Sequence, residues 1–462
     1  MELIVKVNSF LNGIVMGWPG MILLVGTGVY YTIRCGGVQF KWFGYIMKTT
    51  IGKIFDKKEA GEGSVTPFQA VCTALAATVG TGNIAGVTGA IALGGPGAVF
   101  WMWVSALFGM CTKFAEVTLA IHFRERNDKG DWVGGPMYYI KNGLGKKWVW
   151  LGTLFALFGM LAAFGIGNMT QINSIVTSIS GTINSFTPIN VNAANLIIGI
   201  IVAAFCAMVL LGGLKRIGQV TEKLVPFMAV IYIVSALIIF FAHIGNIGNV
   251  LRGIFVGAFT PEAVVGGAVG IGVREAMRYG VARGLFSNEA GMGSTPHAHA
   301  MAKVEKPQDQ GVVAMVCVFI DTFVVLTITA LVMITSGALN VGNMAANPAA
   351  ENMAQVAFTT VFGSFGNIYV AICLLFFAFS TVIGWYFFGE QNVKYLFGVK
   401  AVKVYACIAV VCVALGAVLE APLVWNLSDL FNALMVFPNL LALLALSGLV
   451  AKAARGGDAL RK

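Results

Sequence analysis

Long apolar runs, separated by short polar connections, extend along almost the whole of the 462-residue chain. Each run is about 20 residues or longer and carries few charges, which is the length that a helix needs to cross a membrane. The runs do not alternate apolar and polar residues as the strands of a membrane barrel do. The pattern predicts an all-α polytopic membrane protein, one integrated domain with eleven transmembrane helices at residues 14–34, 67–94, 97–122, 148–178, 193–213, 224–243, 268–302 (irregular), 311–337, 364–388, 401–419 and 423–450.

The composition agrees with a chain that lies in a lipid bilayer. It is 58% hydrophobic and 11% charged, with a mean hydropathy of +0.83. Its net charge of +10 could suggest a nucleic-acid partner, but the position of the basic residues argues against one. Of the 30 Lys and Arg residues, 25 lie in alternate connections, at 34–58, 113–147, 215–223, 303–306, 394–403 and 452–462. Basic residues concentrate on the cytoplasmic side of membrane proteins. The distribution therefore predicts a cell-membrane protein with its N-terminus outside and its C-terminus in the cytoplasm.

Motifs of common enzyme and metal sites are missing. The eight cysteines form no CxxC pair and lie in or beside apolar spans, which favours packing over disulfides or metal binding. His297 and His299 are two residues apart, so on a helix they face different directions and do not form a metal pair. "GTGNIAG" has the wrong spacing for a dinucleotide loop, and the chain contains neither GxSxG nor HExxH. An enzyme is therefore not expected.

The run at 67–94 contains an unusual stretch, "ALAATVGTGNIAGV" at residues 74–87, where three glycines accompany two threonines and an asparagine. Small residues in a membrane helix often serve close helix packing. They also occur where a helix is interrupted and its unwound backbone lines a polar cavity. Packing does not require polar residues around the same turn, so the second interpretation is favoured and predicts a helix break at 78–86.

A second stretch of this kind, "ARGLFSNEAGMGSTP", lies at residues 282–296. Counted from residue 67, each stretch falls in the first span of a set of five, and the two sets have opposite orientations. Interrupted helices at matching positions of two halves are typical of inverted-repeat transporters. The sequence therefore predicts an extra helix at 14–34, a first five-helix repeat at 67–243 and a second, inverted repeat at 260–450, with broken first and sixth core helices.

Five longer motifs carry a resemblance to a known family: "TALAATVGTGNIAGV", "GGPGAVFWMW", "GGPMYY", "GLFSNEAGMGSTP" and "PLVWNLSD". In this order they resemble the alanine/glycine:cation symporter family, whose fold is similar to the leucine-transporter class. The resemblance implies import of small neutral amino acids, such as alanine and glycine, by alternating access with sodium, or in some members protons, as the co-transported ion. A channel is the weaker alternative, because the chain has two local breaks and no repeated filter.

The resemblance also implies a sodium site. "AATVGTGN" resembles the broken first core helix of leucine-transporter-like proteins, and "FFAFST" at 376–381 resembles their eighth core helix. By that match, sodium would bind the carbonyl oxygens of Ala76, Val79 and Phe377 and the hydroxyls of Ser380 and Thr381. Without the resemblance, the two hydroxyls could equally bond the backbone of their own helix.

Substrate-binding residues follow in part from the breaks. A substrate carboxylate suits the freed amides of Thr81 and Gly82 at the positive end of a half-helix. The ammonium group suits carbonyls around the two breaks, or the side chain of Asn83 or Asn288. "FGIGNMTQ" places residues 164, 168 and 171 on one helix face, which suggests a side-chain pocket, although ordinary packing is the alternative. The family fold also brings Asn83 and Ser287 near a second sodium position, whose occupancy is left open. The full predicted set is Thr78, Thr81, Gly82, Asn83, Phe164, Gln171, Ser287, Asn288 and Trp385.

Three acidic residues lie within predicted spans. Glu116 has Lys113 three residues before it, which favours a local ion pair. Asp321 has no basic residue near it in sequence and could carry a proton, join a cation site or bond the freed backbone of the second break. Glu289 lies in that break and could pair with Arg283 or cap a half-helix. The sequence leaves these alternatives open, as it does sodium against proton coupling.

Overall fold

A computed structural model describes residues 17–50, 65–259, 272–339, 350–419 and 421–456. The first residues of the predicted span 14–34 and the start of the predicted second repeat, at 260–271, lie outside the described residues.

The first half of the chain is helical apart from one small hairpin. The helices are α1 (Trp18–Arg34), α2 (Val38–Lys41), α3 (Phe43–Thr50), α4 (Pro67–Thr78), α5 (Ala85–Gly94), α6 (Gly97–His122), α7 (Pro136–Tyr139), α8 (Val149–Phe164), α9 (Thr170–Phe186), α10 (Val191–Leu210), α11 (Gly213–Ala242) and α12 (Ile247–Phe259). Short 3₁₀ turns lie at Thr81–Asn83, Lys146–Trp148 and Ile244–Asn246, and π-helical segments at Ile140–Leu144 and Gly165–Met169. Strands β1 (Glu125–Arg126) and β2 (Trp132–Val133) pair antiparallel, with Glu125 opposite Val133.

The second half is also helical. Its helices are α13 (Val273–Asn288), α14 (Pro296–His299), α15 (Pro307–Val318), α16 (Thr327–Thr335), α17 (Ala350–Phe362), α18 (Phe365–Phe397), α19 (Val402–Gly416), α20 (Ala421–Ala445) and α21 (Ser447–Ala454). A π-helical segment at Phe319–Leu326 joins α15 to α16, and a 3₁₀ turn at Val399–Ala401 precedes α19.

Seven helical stretches within the described ranges are long and apolar enough to cross a membrane, and nine if each of two bent pairs counts as one span. These nine match predicted runs in order. Of the other two predicted runs, 14–34 forms the 17-residue α1, and 268–302 forms α13 followed by an irregular segment. The helical membrane fold is thus confirmed, while the count of eleven and the repeat layout stay predictions.

Helix α6 lies at the centre of the molecule. Over its 18 most apolar consecutive residues, 83% of α6 is buried, against 28% for the stretch Val399–Gly416. Helix α6 packs along α13 and α15. Glycines of α13 permit this close approach, because a Cβ on Gly280 would lie 2.3 Å from the Ala98 carbonyl oxygen and one on Gly284 would lie 2.7 Å from Ser105 Oγ. These glycines fit the packing role of small residues in membrane helices.

The outer helices turn apolar side chains away from the protein. Along α10, large side chains are exposed at Leu196, Ile197, Ile200, Ile201 and Phe205. Such a surface suits contact with hydrocarbon, where exposed apolar side chains carry no penalty.

Helix α4 has a well-defined beginning and a forced end. Thr66 Oγ1 accepts the Gln69 amide at 3.1 Å, Gln69 Oε1 accepts the Thr66 amide at 3.2 Å, and Pro67 occupies the first turn, which together form a capping box. The helix ends at Thr78, and the chain bends by 58° before it continues towards α5. The bend places the functional site described next.

Candidate functional site between two broken helices

The first break frees backbone groups in the middle of the molecule. In a continuous helix the Gly80 amide would donate to the Ala76 carbonyl. Here the Gly80 amide donates to Asn83 Oδ1 at 2.9 Å, and the Ala76 carbonyl accepts the Thr381 hydroxyl at 3.2 Å. The helix is therefore interrupted at residues 79–80, within the stretch that the glycine pattern indicated.

Two amides follow the interruption. Thr81 and Gly82 begin the 3₁₀ turn that leads into α5, and among the described residues neither amide donates to a carbonyl of α4. Amides at the start of a helical segment carry positive partial charge. The Thr81 hydroxyl donates to Gln171 Oε1 at 3.0 Å, and Gln171 Nε2 donates to the Ile166 carbonyl at 2.9 Å. The turn thus presents two free donors and is held to α9 through Gln171.

The second break follows α13. Glu289 has a φ of 55°, the only positive φ at a non-glycine residue in the described ranges, and Gly291 and Gly293 have φ of 89° and 80°. A left-handed conformation costs a non-glycine residue roughly 1–2 kcal/mol. Surrounding contacts therefore hold Glu289 in place. A single helical turn, α14, follows this break.

Lys113 on α6 supplies much of that support. Its ammonium group donates to the Glu289 carbonyl at 2.8 Å and to Thr295 Oγ1 at 2.7 Å. It also lies 3.8 Å from Glu116 Oε2, which confirms the predicted local ion pair. Glu116 Oε1 in turn accepts the Gly293 amide at 2.9 Å. The sequence pointed to the pair, but it did not indicate that the pair holds the second break.

The carboxylate of Glu289 bonds groups other than Arg283. Trp385 Nε1 donates to Glu289 Oε1 at 2.8 Å, and the Ser294 hydroxyl donates to Oε2. The Arg283 guanidinium instead lies over the Phe286 ring, 5.6 Å from its centroid. The sequence left two roles open for Glu289. The ion pair with Arg283 does not form, whereas the backbone of Glu289 is the C-terminal cap of α13.

Asp321 connects the two breaks. It lies in the π-helical segment Phe319–Leu326, and its Oδ1 accepts Asn83 Nδ2 at 2.7 Å and the Ser287 hydroxyl at 3.0 Å. Its Oδ2 accepts the Thr322 hydroxyl at 3.0 Å. The carboxylate thus bonds a side chain of the first break and one in the last turn of α13, rather than freed backbone of the second break. One buried acid therefore ties the first break to the end of α13, where the second break begins.

A cavity lies between the two breaks. Its volume is about 10 Å³, enough for about one water molecule. Six residues of the predicted substrate set line it: Thr78, Thr81, Gly82, Gln171, Ser287 and Trp385. The other lining residues are Ala77, Gly80, Ile166, Phe286, Glu289 and Thr381. The structure therefore brings most of the predicted set to one enclosed space.

Three predicted substrate residues do not line this cavity. Asn83 bonds Asp321, Asn288 Nδ2 donates to Thr322 Oγ1 at 3.2 Å, and the Phe164 ring packs on Tyr405 with centroids 5.2 Å apart. The placement of Phe164 has a geometric cause. The prediction assumed α-helical spacing from residue 164 to 171, but Gly165–Met169 is π-helical, which shifts the faces and brings Ile166 to the cavity instead.

An oxygen cluster lies beside the cavity, where α18 meets the first break. The Thr381 hydroxyl bonds the carbonyl oxygens of Ala76 at 3.2 Å and Phe377 at 3.0 Å, and the Ser380 hydroxyl bonds that of Phe377 at 2.8 Å. The approach is close, because a Cβ on Gly80 would lie 2.2 Å from Thr381 Oγ1. Both hydroxyls therefore bond their own helix, which the sequence left as the alternative, and Thr381 also reaches Ala76, so four of the five predicted sodium ligands lie in one hydrogen-bonded cluster. The fifth, Val79, is buried at the end of α4.

The cysteines and histidines do not form a further site. The part of the chain that the structure describes contains no group of three or more His, Cys, Asp or Glu side chains placed to hold a metal ion. All eight cysteines are free thiols. His297 Nδ1 lies 2.6 Å from the Ser294 carbonyl, and His299 Nδ1 lies 2.8 Å from Gln310 Nε2.

Comparison with known proteins identifies the family. The model of the sodium:alanine symporter family matches residues 1–458. The chain belongs to this family. It is 44% identical over 472 residues to the sodium/alanine symporter AgcS of Methanococcus maripaludis, covering 100% of this chain and 98% of that protein. It is 36% identical to the probable sodium/glutamine symporter GlnT of Bacillus subtilis, covering 93% of this chain and 86% of that protein.

A solved structure agrees on the fold. The manganese transporter of Eremococcus coleocola, in complex with an aromatic bis-isothiourea substituted compound, matches with a TM-score of 0.51 and 14% identity, over 89% of this chain and 84% of that one. At this identity the likeness concerns the fold alone. Membership of the sodium:alanine symporter family makes this chain a membrane transport protein of the symporter type and not an enzyme.

Proposed function

We propose that this protein is a secondary active transporter that imports a small neutral amino acid, alanine or glycine, together with sodium by alternating access. The observation that carries the proposal is one cavity that two broken helices enclose, with free amides on its wall and an oxygen cluster beside it. Similarity to sodium-coupled amino-acid symporters supports it. The proposed layout is the predicted one, with eleven spans in an extra helix and two inverted repeats, and with the N-terminus outside.

The substrate carboxylate is placed at the first break. Thr81 and Gly82 offer two amides that no carbonyl of α4 occupies, and α5 follows them, so the positive end of a helical segment faces the acceptor. Gly82 lines the cavity without a side chain, and a Cβ there would meet nothing nearer than 3.7 Å. The backbone of this residue therefore borders the cavity without a Cβ in the way of a carboxylate.

The substrate side chain is placed between Trp385, Gln171 and Thr78, with Ser287 at the end of α13 on the opposite side. The cavity is narrow, with a volume of about 10 Å³, and a tryptophan lies in its wall, so a substrate must widen it on binding. Overpacking costs more for a larger side chain, which favours a substrate side chain no bigger than a methyl group. Asn83, Asn288 and Phe164 contribute indirectly in this proposal, the two amides through the network around Asp321 and the phenyl ring through packing on Tyr405.

Sodium is placed at the oxygen cluster of Ala76, Val79, Phe377, Ser380 and Thr381. Carbonyl and hydroxyl oxygens are suitable ligands for a hard cation. The interruption after α4 supplies the carbonyls, because it removes the amide that would otherwise occupy the Ala76 oxygen. An ion here would bind both α4 and α18, so its binding would be coupled to the position of these two helices.

Labelled alanine uptake into proteoliposomes tests the proposal. Uptake should rise at least several-fold when an inward sodium gradient is imposed and should stay low with potassium in its place. Uptake that follows an inward proton gradient without sodium would support the second candidate, proton-coupled symport, in which Asp321 carries the proton between its partners Asn83 and Ser287. Absence of alanine uptake under every gradient would contradict the proposed substrate.

A further inference from the structure

We propose that the carboxylate of Glu289 binds the ammonium group of the substrate and thereby makes the site selective for amino acids over simple carboxylic acids. The inference rests on the proposed function, because it assigns a partner to the other end of the same substrate. It concerns a residue for which the sequence suggested only a cap or an ion pair with Arg283.

The backbone and the side chain of Glu289 make different contacts. Lys113 donates to the Glu289 carbonyl oxygen and to Thr295, not to the Glu289 carboxylate. The left-handed φ of 55° holds this residue at the turn of the second break, and its side chain lines the cavity. The lysine thus anchors the turn without neutralising the acid by a direct bond.

The carboxylate retains acceptor capacity. An ionised carboxylate has about four lone-pair positions. Two neutral donors, the Trp385 indole at 2.8 Å and the Ser294 hydroxyl, account for its hydrogen bonds in the structure. A third donor that enters the cavity can therefore bond the same group, and an ammonium group is a three-proton donor with the complementary charge.

The excess of buried acidic over buried basic side chains also favours a cationic ligand group beside Glu289. The buried charged side chains within the described residues are four acids, Glu116, Glu289, Asp321 and Glu390, and one base, Lys113, and Glu390 pairs with the partly buried Lys394. Glu116 has Lys113 at 3.8 Å and accepts two further donors, the Gly293 amide and Asn439 Nδ2. A buried acid without a paired cation is costly in a membrane. A positively charged ligand group beside Glu289 would offset that cost.

Other candidates for the ammonium group have partners already. Asn83 donates to Asp321 and accepts the Gly80 amide, and Asn288 Oδ1 accepts the Ala290 amide at 3.0 Å. Neither asparagine lines the cavity. Glu289 lines it together with Thr81 and Gly82, whose amides suit the substrate carboxylate. One cavity therefore carries complementary groups for both ends of a zwitterion.

The test compares alanine with lactate, which keeps the carboxylate and the methyl group but has a hydroxyl in place of the ammonium group. Binding of labelled alanine to the purified full-length protein, and its displacement by unlabelled alanine or lactate, gives the preference for alanine. In Glu289→Gln this preference should fall by about 10- to 100-fold, the range that a hydrogen bond to a charged group corresponds to. Glu116→Gln is the matched control, because it removes an acid beside the same lysine outside the cavity and should keep the wild-type preference.

The outcomes separate the inference from the proposed function. If the wild-type protein binds alanine and Glu289→Gln weakens alanine and lactate equally, Glu289 only supports the fold and the inference is overturned. If Glu289→Gln does not fold, Glu289→Asp moves the carboxylate back by one methylene group, and the preference should fall at least threefold. An unchanged preference in Glu289→Asp would also overturn the inference. No alanine binding by the wild-type protein would overturn the proposed function itself, and the inference with it.

Discussion

The two breaks solve the same structural problem in different ways. The first, at residues 79–83, contains no charged side chain, leaves the amides of Thr81 and Gly82 without a carbonyl partner on α4 and is held by Asn83. The second, at 289–295, is surrounded by charge, because Lys113 and Glu116 bond its backbone directly. Unwound backbone in a membrane must find partners inside the protein. The first break thus keeps donors available for a ligand, whereas side chains of the protein satisfy the second.

This difference suggests a division of roles. A break that retains free amides can bind a ligand during transport, because the ligand adds hydrogen bonds without breaking existing ones. A break fixed by a buried ion pair is expensive to rearrange, since an uncompensated buried charge costs several kcal/mol. We therefore expect substitutions at the first break to alter binding, and substitutions at Lys113, which supports the backbone of the second break, to alter stability.

The largest expected effect is that of Lys113→Met on stability. The change leaves Glu116 and the Glu289 carbonyl without their buried cation, which should lower the free energy of unfolding by about 3–5 kcal/mol. Unfolding of the purified protein in detergent measures it. Lys147→Met, at an exposed lysine, is the control and should change little. A Lys113→Met protein as stable as wild type would remove the proposed distinction between the breaks.

Thr381→Ala should weaken sodium binding without a comparable loss of stability. It removes a hydroxyl that bonds the Ala76 and Phe377 carbonyls and that is a proposed sodium ligand, and the loss of one polar partner of a charged group costs about 1.5–3 kcal/mol. The sodium concentration for half-maximal uptake should rise by roughly 10- to 100-fold. Thr335→Ala is the control, because that buried hydroxyl bonds only its own helix at Leu331. The same sodium response in Thr381→Ala and wild type would place the ion elsewhere.

Two glycine substitutions compare a ligand role with a packing role. A Cβ on Gly284 would lie 2.7 Å from Ser105 Oγ, so Gly284→Ala should lower stability by about 1–3 kcal/mol through overpacking. A Cβ on Gly82 would meet only ordinary contacts at 3.7 Å, so Gly82→Ala should fold normally but lose alanine binding, because the methyl group occupies the carboxylate position. Thermal stability and alanine binding of both variants decide this. Retained binding in Gly82→Ala with lost stability would assign this glycine to packing.

The smallest expected effect is that of Thr81→Val. It removes one neutral hydrogen bond, from the Thr81 hydroxyl to Gln171 Oε1, which is worth about 0.5–1.5 kcal/mol. Alanine affinity should fall by roughly 2- to 10-fold, with stability close to that of wild type. Thr335→Val serves as the control away from the cavity. A loss of stability as large as that expected for Lys113→Met would show that the first break is as rigidly built as the second.

Much of the site could be predicted from local features of the sequence. Glycines and polar residues inside an apolar run indicated the breaks near residues 80 and 290, and the spacing of Lys113 and Glu116 indicated their ion pair. The prediction for Phe164 relied on regular helical spacing, which the π-helical segment at Gly165–Met169 interrupts. Nothing in the local sequence of residues 164–171 distinguishes the two kinds of helix, so the residue that reaches the cavity, Ile166, was not predicted.

The sequence by itself determined the apolar helices, their polar connections and the positions where a helix cannot continue, because these depend on hydropathy and backbone preference within a few residues. The tertiary structure alone decided which distant groups meet at the breaks. Asp321 joins Asn83 across 238 residues, and Glu289 meets Trp385 across 96. Such contacts depend on how whole helices pack, and a buried acid accepts whichever donors that packing brings within reach.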